Sequence, residues 1–376
     1  MGGKNLQKYE VVELKMKNIK IIYPILTKKL ESEFPNQRDI PEIFLFISYL
    51  KSLEEEGKIN FKQKNNKNKK NLFIPASNGG SIAALAILFS LSQGHLTFVR
   101  EPTNGFGPEM DILLNLFEDV SIFKERLKII NAKKFNDTIK NKKFSLLLAW
   151  GSNKTKKDIE EIAENTSSKL FYFGTQISLS IIDLDELYLF DDSKKRRIID
   201  GYISDILTFD QNGCTNTKFS ILISNNKKTT QKFFNQINFF AKKSRFNEAI
   251  SLQEKLSGLI RSSGLQNPQL MERKFFLSDR IWFIRIKSLY PNLLHDLDNI
   301  KSGVVIYKSV NDLKDMLQLL HSLPNFGRIT SFSSQFSILQ KEKKVSEYLS
   351  RDILNIGFSN SLNYIWDDVD LSSIFK

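Results

Sequence analysis

The stretch LFIPASNGGSIAALAILFSLSQGHLTFVR, residues 72–100, reads as a strand, a glycine turn, an apolar helix and a second strand. LFIPA (72–76) and LTFVR (96–100) are short apolar runs of strand length, and SIAALAILFSLSQ (81–93) between them has a helical pattern. The same alternation continues outward through a helix at PEMDILLNLF (108–117), a short strand near Leu127 to Ile130 and a strand at SLLLAW (145–150). KTKKDIEEIAEN (154–165) then reads as helix and KLFYFG (169–174) as strand. Strands alternating with helices define an α/β unit with a largely parallel, doubly wound sheet.

Three turns in this half carry small residues where a strand hands over to a helix: Asn78-Gly79-Gly80, Gly105 with Gly107, and Gly151-Ser152. Ligands of open parallel sheets bind beyond the carboxyl ends of the strands, where helix N-termini favour phosphate, so this half reads as a Rossmann-type dinucleotide unit. NGFGPE is an incomplete GxGxxG, and each glycine also fits an ordinary turn. An amphipathic pattern from Ser193 to Leu207 leads into FDQNGCTNT (209–217) and a strand at KFSILIS (218–224). Two polar helices near 229–242 and 245–261 follow, then strands at 281–286, 303–307 and 328–332, with helices from Val310 to Leu320 and near 338–349. This is a second α/β unit, and the pattern places the boundary near Thr208.

The 376 residues are 41% hydrophobic and 26% charged, which is enough for two domains without disulfides. One cysteine forms no intramolecular disulfide, and it makes no zinc-ligand pattern with His95, His295 and His321. No metal and a reducing cytoplasm are therefore expected. MGGKNLQKYEVVELK lacks the apolar centre of a signal peptide. The most apolar run, Ile82 to Leu91, has about half of the roughly 20 residues needed to span a bilayer and reads as a buried helix. The net charge of +13 draws polyanions, but the tract KQKNNKNKKN (62–71) has no interleaved aromatics, which speaks against a nucleic-acid partner and for a solvated loop.

Cys214 lies between Gly213 and Thr215-Asn216-Thr217, a small and polar turn-like setting. A thiol acts as a nucleophile in its thiolate form, so local dipoles decide its reactivity. These residues alone leave open that Cys214 is a small buried hydrophobe.

Taken in order, IPASNGG (74–80), LTFVREPT (96–103), LLLAWGSN (146–153), FYFGTQIS (171–178) and ILTFDQNGCTNT (206–217) resemble the LuxC-type acyl-CoA reductases, the fatty-acid reductases of bacterial luminescence, within the aldehyde dehydrogenase superfamily. GVVIYKSVNDLKDMLQLLHSLPNFGRITSF (303–332) is similar to the segment that closes that superfamily's catalytic domain. The resemblance implies an aldehyde dehydrogenase-like fold, with an N-terminal segment (1–70), a cofactor domain (71–208), a catalytic domain (209–335) and a C-terminal return and oligomerisation segment (336–376).

The same resemblance implies that Cys214 accepts the acyl group as a thioester, while the Asn78 side chain and the Cys214 backbone N–H hold the oxyanion. Arg100 matches a strand-end Lys that faces the adenosine ribose; a guanidinium there suits a 2′-phosphate, hence NADPH. Gly151 and Ser152 match the turn beside the pyrophosphate and nicotinamide, where a side chain at the glycine would collide with the cofactor, and Gly174 belongs to the neighbouring Phe-Gly segment. Where aldehyde dehydrogenases carry a water-activating Glu this chain has Tyr172, which suits a reductase whose acyl-enzyme must outlast hydrolysis. The expected activity is reduction of an acyl-CoA or acyl-protein thioester to an aldehyde, with an acyl-protein synthetase as donor partner and a homo-oligomeric assembly. Thr175, Gln176 and Thr215-Asn216 depart from the family's Pro, Lys and Ser-Pro. Those departures motivate the alternative of a non-catalytic subunit acting in binding or assembly.

Overall fold

In the computed structural model the described residues are 22–33, 46–51, 69–76, 80–174, 176–211, 213–243, 271–277, 281–290, 293, 297, 303–323, 328–333, 353–359, 365–366, 369–371 and 373–375. The expected helices at 245–261 and near 338–349, most of the lysine–asparagine tract, and Asn78 lie outside them.

Five strands form the first sheet: β1 (Lys70–Ile74), β2 (Leu96–Arg100), β3 (Leu127–Ile130), β4 (Leu146–Trp150) and β5 (Lys169–Phe173). Their order is β3-β2-β1-β4-β5 and every pairing is parallel. Side chains alternate between two cores. On β1, Phe73 enters one core while Leu72 and Ile74 enter the other; on β4, Leu146 and Leu148 oppose Leu147 and Ala149. A parallel sheet covered on both faces needs such unbroken apolar strands. The helix Gly80–Ser92 is buried on every side from Ser81 onward, as its lack of a polar face requires. Leu26, Leu30, Phe46 and Leu50, from helical residues near the N-terminus, pack in the same core, as do Leu371 and Phe375 from the C-terminal end.

The second sheet contains β6 (Ser178–Asp183), β7 (Thr217–Ile223), β8 (Met271–Leu277), β9 (Trp282–Ile286), β10 (Val304–Val310), β11 (Ile329–Phe332) and β12 (Ile353–Asn355). Their order is β12-β11-β6-β7-β10-β9-β8, parallel except for β8 against β9. Phe219, Ile221 and Ile223 of β7 point into one core and Leu222 into the other. The strand SLSIID was not among those expected, and the change of sheet falls between Phe173 and Ser178, before the pattern boundary near Thr208. A short antiparallel pair, β13 (Ile365–Trp366) with β14 (Val369–Asp370), follows near the end of the chain. Among the described residues no helix is long and apolar enough to cross a membrane.

A buried polar cluster sits under β1 and β2. Asn71 Nδ2 donates to Ser90 Oγ at 2.9 Å and to His95 Nδ1 at 3.0 Å, and Ser90 Oγ lies 2.8 Å from Thr97 Oγ1. The His95 ring is 6.4 Å from that of Phe375, which in turn stacks on Phe73 at 6.0 Å. His95 is 1% exposed, and burial, helped by Lys69 and Arg126, pulls its pKa down to about 4. Protonation would also set a ring N–H against the Asn71 amide donor. The unfolded chain takes up this proton near pH 6.5 and the folded chain only near 4, so His95 subtracts stability as pH falls through that window. His95→Gln should therefore gain on the wild type by up to about 3 kcal/mol between pH 6.5 and 4, measured as the difference in urea unfolding free energy. A difference independent of pH would contradict this account.

Candidate functional site

Cys214 stands at an exposed turn between the 3-10 segment Thr208–Gln211 and β7. Its neighbours Thr215, Asn216 and Thr217 are buried, so the thiol projects from a turn whose next residues are sunk into the protein. Asn216 Nδ2 donates to the carbonyls of Thr208 at 2.6 Å, Asp205 at 3.2 Å and Ile206 at 3.4 Å, which lie at the C-terminal end of the helix Asp192–Leu207. Its Oδ1 accepts from the Gly213 N–H at 2.9 Å, and its own N–H donates to the Gly213 carbonyl at 3.2 Å. Terminal helix carbonyls have no intrahelical partner, and one side-chain amide satisfies several of them here.

Gln211, in the left-handed region at φ +59°, sends Nε2 to the Thr217 carbonyl at 2.9 Å and the Val304 carbonyl at 2.7 Å. Ser178, the first residue of β6, donates to the Cys214 carbonyl at 2.9 Å. The Asp205 side chain, 1% exposed, accepts from the Gly357 N–H at 2.7 Å, the Ser359 N–H at 3.0 Å and Ser359 Oγ at 2.7 Å. Burial nevertheless pushes its pKa up to about 6. Gly201 and Gly357 meet backbone to backbone beside it; a Cβ on Gly357 would lie 3.0 Å from the Gly201 Cα, and Gly357 has φ +92°.

The residues expected to meet a cofactor occupy the carboxyl edge of the first sheet. Arg100 ends β2 and is half-buried, its guanidinium 5.1 Å above the Phe135 ring. Among the described residues it has no ion pair, and burial works against its charge. Gly151 and Ser152 follow β4 and Gly174 follows β5; the Gly151 N–H donates to the Phe173 carbonyl at 3.1 Å, which sets the two strand ends side by side.

Glycine at 151 also has a reason within the chain. A Cβ there would stand 2.6 Å from Thr155 Oγ1 and 3.1 Å from the Tyr172 hydroxyl, so the chain's own side chains already demand a glycine. Tyr172 donates to the Ser152 carbonyl at 2.5 Å and sits 3.1 Å from Thr155 Oγ1, which also donates to that carbonyl at 2.9 Å. The tyrosine in place of a carboxylate thus ties the turn after β4.

Ser178, Asp205 and Thr155 escaped the sequence reading. Asp205 carried one faint signal, a carboxylate beside Tyr202 and Ile206 on the helix's buried side. Among the described residues no cluster of three His, Cys, Asp or Glu could hold a metal.

This two-sheet architecture is that of the aldehyde dehydrogenases. Aldehyde dehydrogenase 21 from Physcomitrella patens, solved with the reaction product succinate, matches with a TM-score of 0.65 at 12% identity, over 94% of this chain and 80% of that one. The NAD+ complex of an aldehyde dehydrogenase from Bacillus cereus matches at 0.63 and 10% identity, over 96% and 80%. Methylmalonate-semialdehyde dehydrogenase from Oceanimonas doudoroffii matches at 0.61 and 9% identity, over 93% and 80%. Residues 61–242, just under half of the chain, match the family described as Acyl-CoA reductase (LuxC). No curated protein sequence matches. The chain is LuxC-like over those residues and aldehyde dehydrogenase-like in fold.

The packing around Gly151 makes a quantitative expectation. Gly151→Ala displaces Thr155 Oγ1 from its bonds and should cost about 1–2 kcal/mol, since net hydrogen bonds contribute about 1 kcal/mol each. Combined with Thr155→Ala, the total destabilisation should fall clearly below the sum of the two single effects in a thermal-unfolding double-mutant cycle. Additive effects would show that Thr155 is not what excludes a side chain at 151.

Proposed function

We propose that this protein reduces an acyl-CoA or acyl-protein thioester to the aldehyde, with NADPH as reductant and Cys214 carrying the acyl group. The observation that carries the reading is the exposed cysteine at the apex of a turn whose flanking polar groups are buried and hydrogen-bonded. A nucleophile needs both access and fixed direction.

In this reading the Cys214 thiolate attacks the thioester carbonyl carbon. The bond from that carbon to the carrier sulfur breaks, and the carrier thiolate leaves and takes up a proton. Negative charge gathers on the carbonyl oxygen during attack, where the Cys214 backbone N–H and the Asn78 side chain would receive it; losing one such donor typically costs about 2.7–4 kcal/mol of transition-state stabilisation.

NADPH, when bound, would supply the hydride that lowers the acyl carbon to the aldehyde level; the bond from that carbon to Cys214 Sγ then breaks, releasing the aldehyde and restoring the Cys214 thiolate. Its place would be the carboxyl edge of the first sheet, with Arg100 toward the 2′-phosphate and Gly151, Ser152 and Gly174 along the pyrophosphate and nicotinamide. The fit rests on Arg100, a half-buried guanidinium without a carboxylate partner among the described residues at a parallel strand end. Tyr172 offers no carboxylate to activate water, and its hydroxyl is engaged by Ser152 and Thr155, which favours reduction over hydrolysis. A reducing cytoplasm, a homo-oligomer and an acyl-protein synthetase as donor accompany this reading.

Incubation with radiolabelled acyl-CoA in the absence of NADPH should leave label on the protein. Cys214→Ala should abolish the label; label that survives the substitution contradicts the assignment.

A further inference from the structure

We propose that Asn216 is the positioning residue for the Cys214 thiol, pinning its turn to the C-terminal end of the helix Asp192–Leu207; this rests on the acyl-enzyme reading above. Asn216 stiffens the turn by bonding, with its side chain held to four backbone groups and its own N–H returned to Gly213. Its amide is wholly buried, so water cannot replace those partners, and each one lost would leave a buried polar group unsatisfied.

What Asn216 grips is itself immobilised. The backbone carbonyl of Asp205 receives the Asn216 amide, while the Asp205 carboxyl group receives Gly357 and Ser359 from the C-terminal part of the chain. Arg328 donates to the Ser359 carbonyl at 2.6 Å and closes that knot. Ser178 holds the Cys214 carbonyl from the other side. The thiol therefore stands on a turn fixed by three parts of the chain, the helix, β6 and the segment after β12.

The test uses the fact that Cys214 is the only cysteine, so any thiol reagent reports on it alone. Rates of alkylation by iodoacetamide are followed from pH 6 to 9 in the wild type, Asn216→Ala, the milder Asn216→Ser and a control, Ser220→Ala. The control breaks the buried 2.6 Å bond between Tyr202 and Ser220, which does not reach the turn. Asn216→Ala and Asn216→Ser should shift the pH–rate profile and change the limiting rate by about threefold or more, because the thiolate fraction and access that govern alkylation are set by the turn. Ser220→Ala should lower the melting temperature yet leave the profile unaltered. If either Asn216 variant is folded by circular dichroism and alkylates as the wild type does, the proposal is overturned.

Acyl labelling measured in parallel separates the two ideas. A wild type that takes no acyl label, with alkylation still altered in the Asn216 variants, removes the acyl-enzyme reading and keeps the positioning role. Labelling through Cys214 with unaltered alkylation in those variants does the reverse.

Discussion

The site depends on how the chain leaves the helix Asp192–Leu207 and enters β7. It must turn within a few buried residues, strand the helix's last carbonyls, and arrive in register with β6 and β10 on either side. Unsatisfied buried polar groups cost on the order of 1–3 kcal/mol each, so the turn forms only if those carbonyls find donors. Asn216 supplies them, while Gln211 donates to the Thr217 carbonyl of β7 and reaches β10 through the Val304 carbonyl. Among the residues of this passage whose burial is described, the cysteine is the exposed one. Its presentation by a hydrogen-bonded turn follows from the backbone's own requirements.

Each sheet also buries a titratable group, and the two shifts run in opposite directions. His95 under the first sheet is pulled down to about 4, so folding resists its protonation and acid destabilises. Asp205 beside the second is pushed up to about 6, so the folded chain takes its proton before the unfolded chain does. Between pH 6 and 4 its protonation therefore favours the folded state, the reverse of the ordinary exposed carboxylate. The two contributions oppose each other across the same window. Ionised Asp205 near neutral pH is sustained by three donors from the C-terminal segment, which links the docking of residues 357–359 to the charge state of the helix beneath Cys214.

Most of the first sheet was legible because each strand is a short apolar run closed by a turn, and the helix Gly80–Ser92 is apolar throughout. The strand β6 was missed. SLSIID directly precedes the short helical turn at 184–187 and the charged start of the next helix, and its inward-facing Ser180 hides its strand character. Ser180 is accommodated only because Thr217 and Thr330 bond it at 2.6 and 2.8 Å from the neighbouring strands, pairings across up to 150 residues that local pattern cannot reveal. At the site, the small polar context of Cys214 could be read, but not that the thiol is exposed while Thr215, Asn216 and Thr217 are buried. Asp205 could not, since its partners lie more than 150 positions away. At Gly151 an added Cβ would meet Thr155 and Tyr172, neighbours that the local sequence does not reveal.

Of the departures from the resemblance, Asn216 and Thr217 are bonded into the turn and the sheet, which gives them structural roles. The most direct measurement of the central claim is NADPH oxidation across acyl-CoAs from short to long, with the product identified by mass spectrometry. Aldehyde formed in step with NADPH consumed, and lost in Cys214→Ala, is the expected result. No acyl-dependent NADPH oxidation with any chain length, or release of free acid in place of aldehyde, would contradict it.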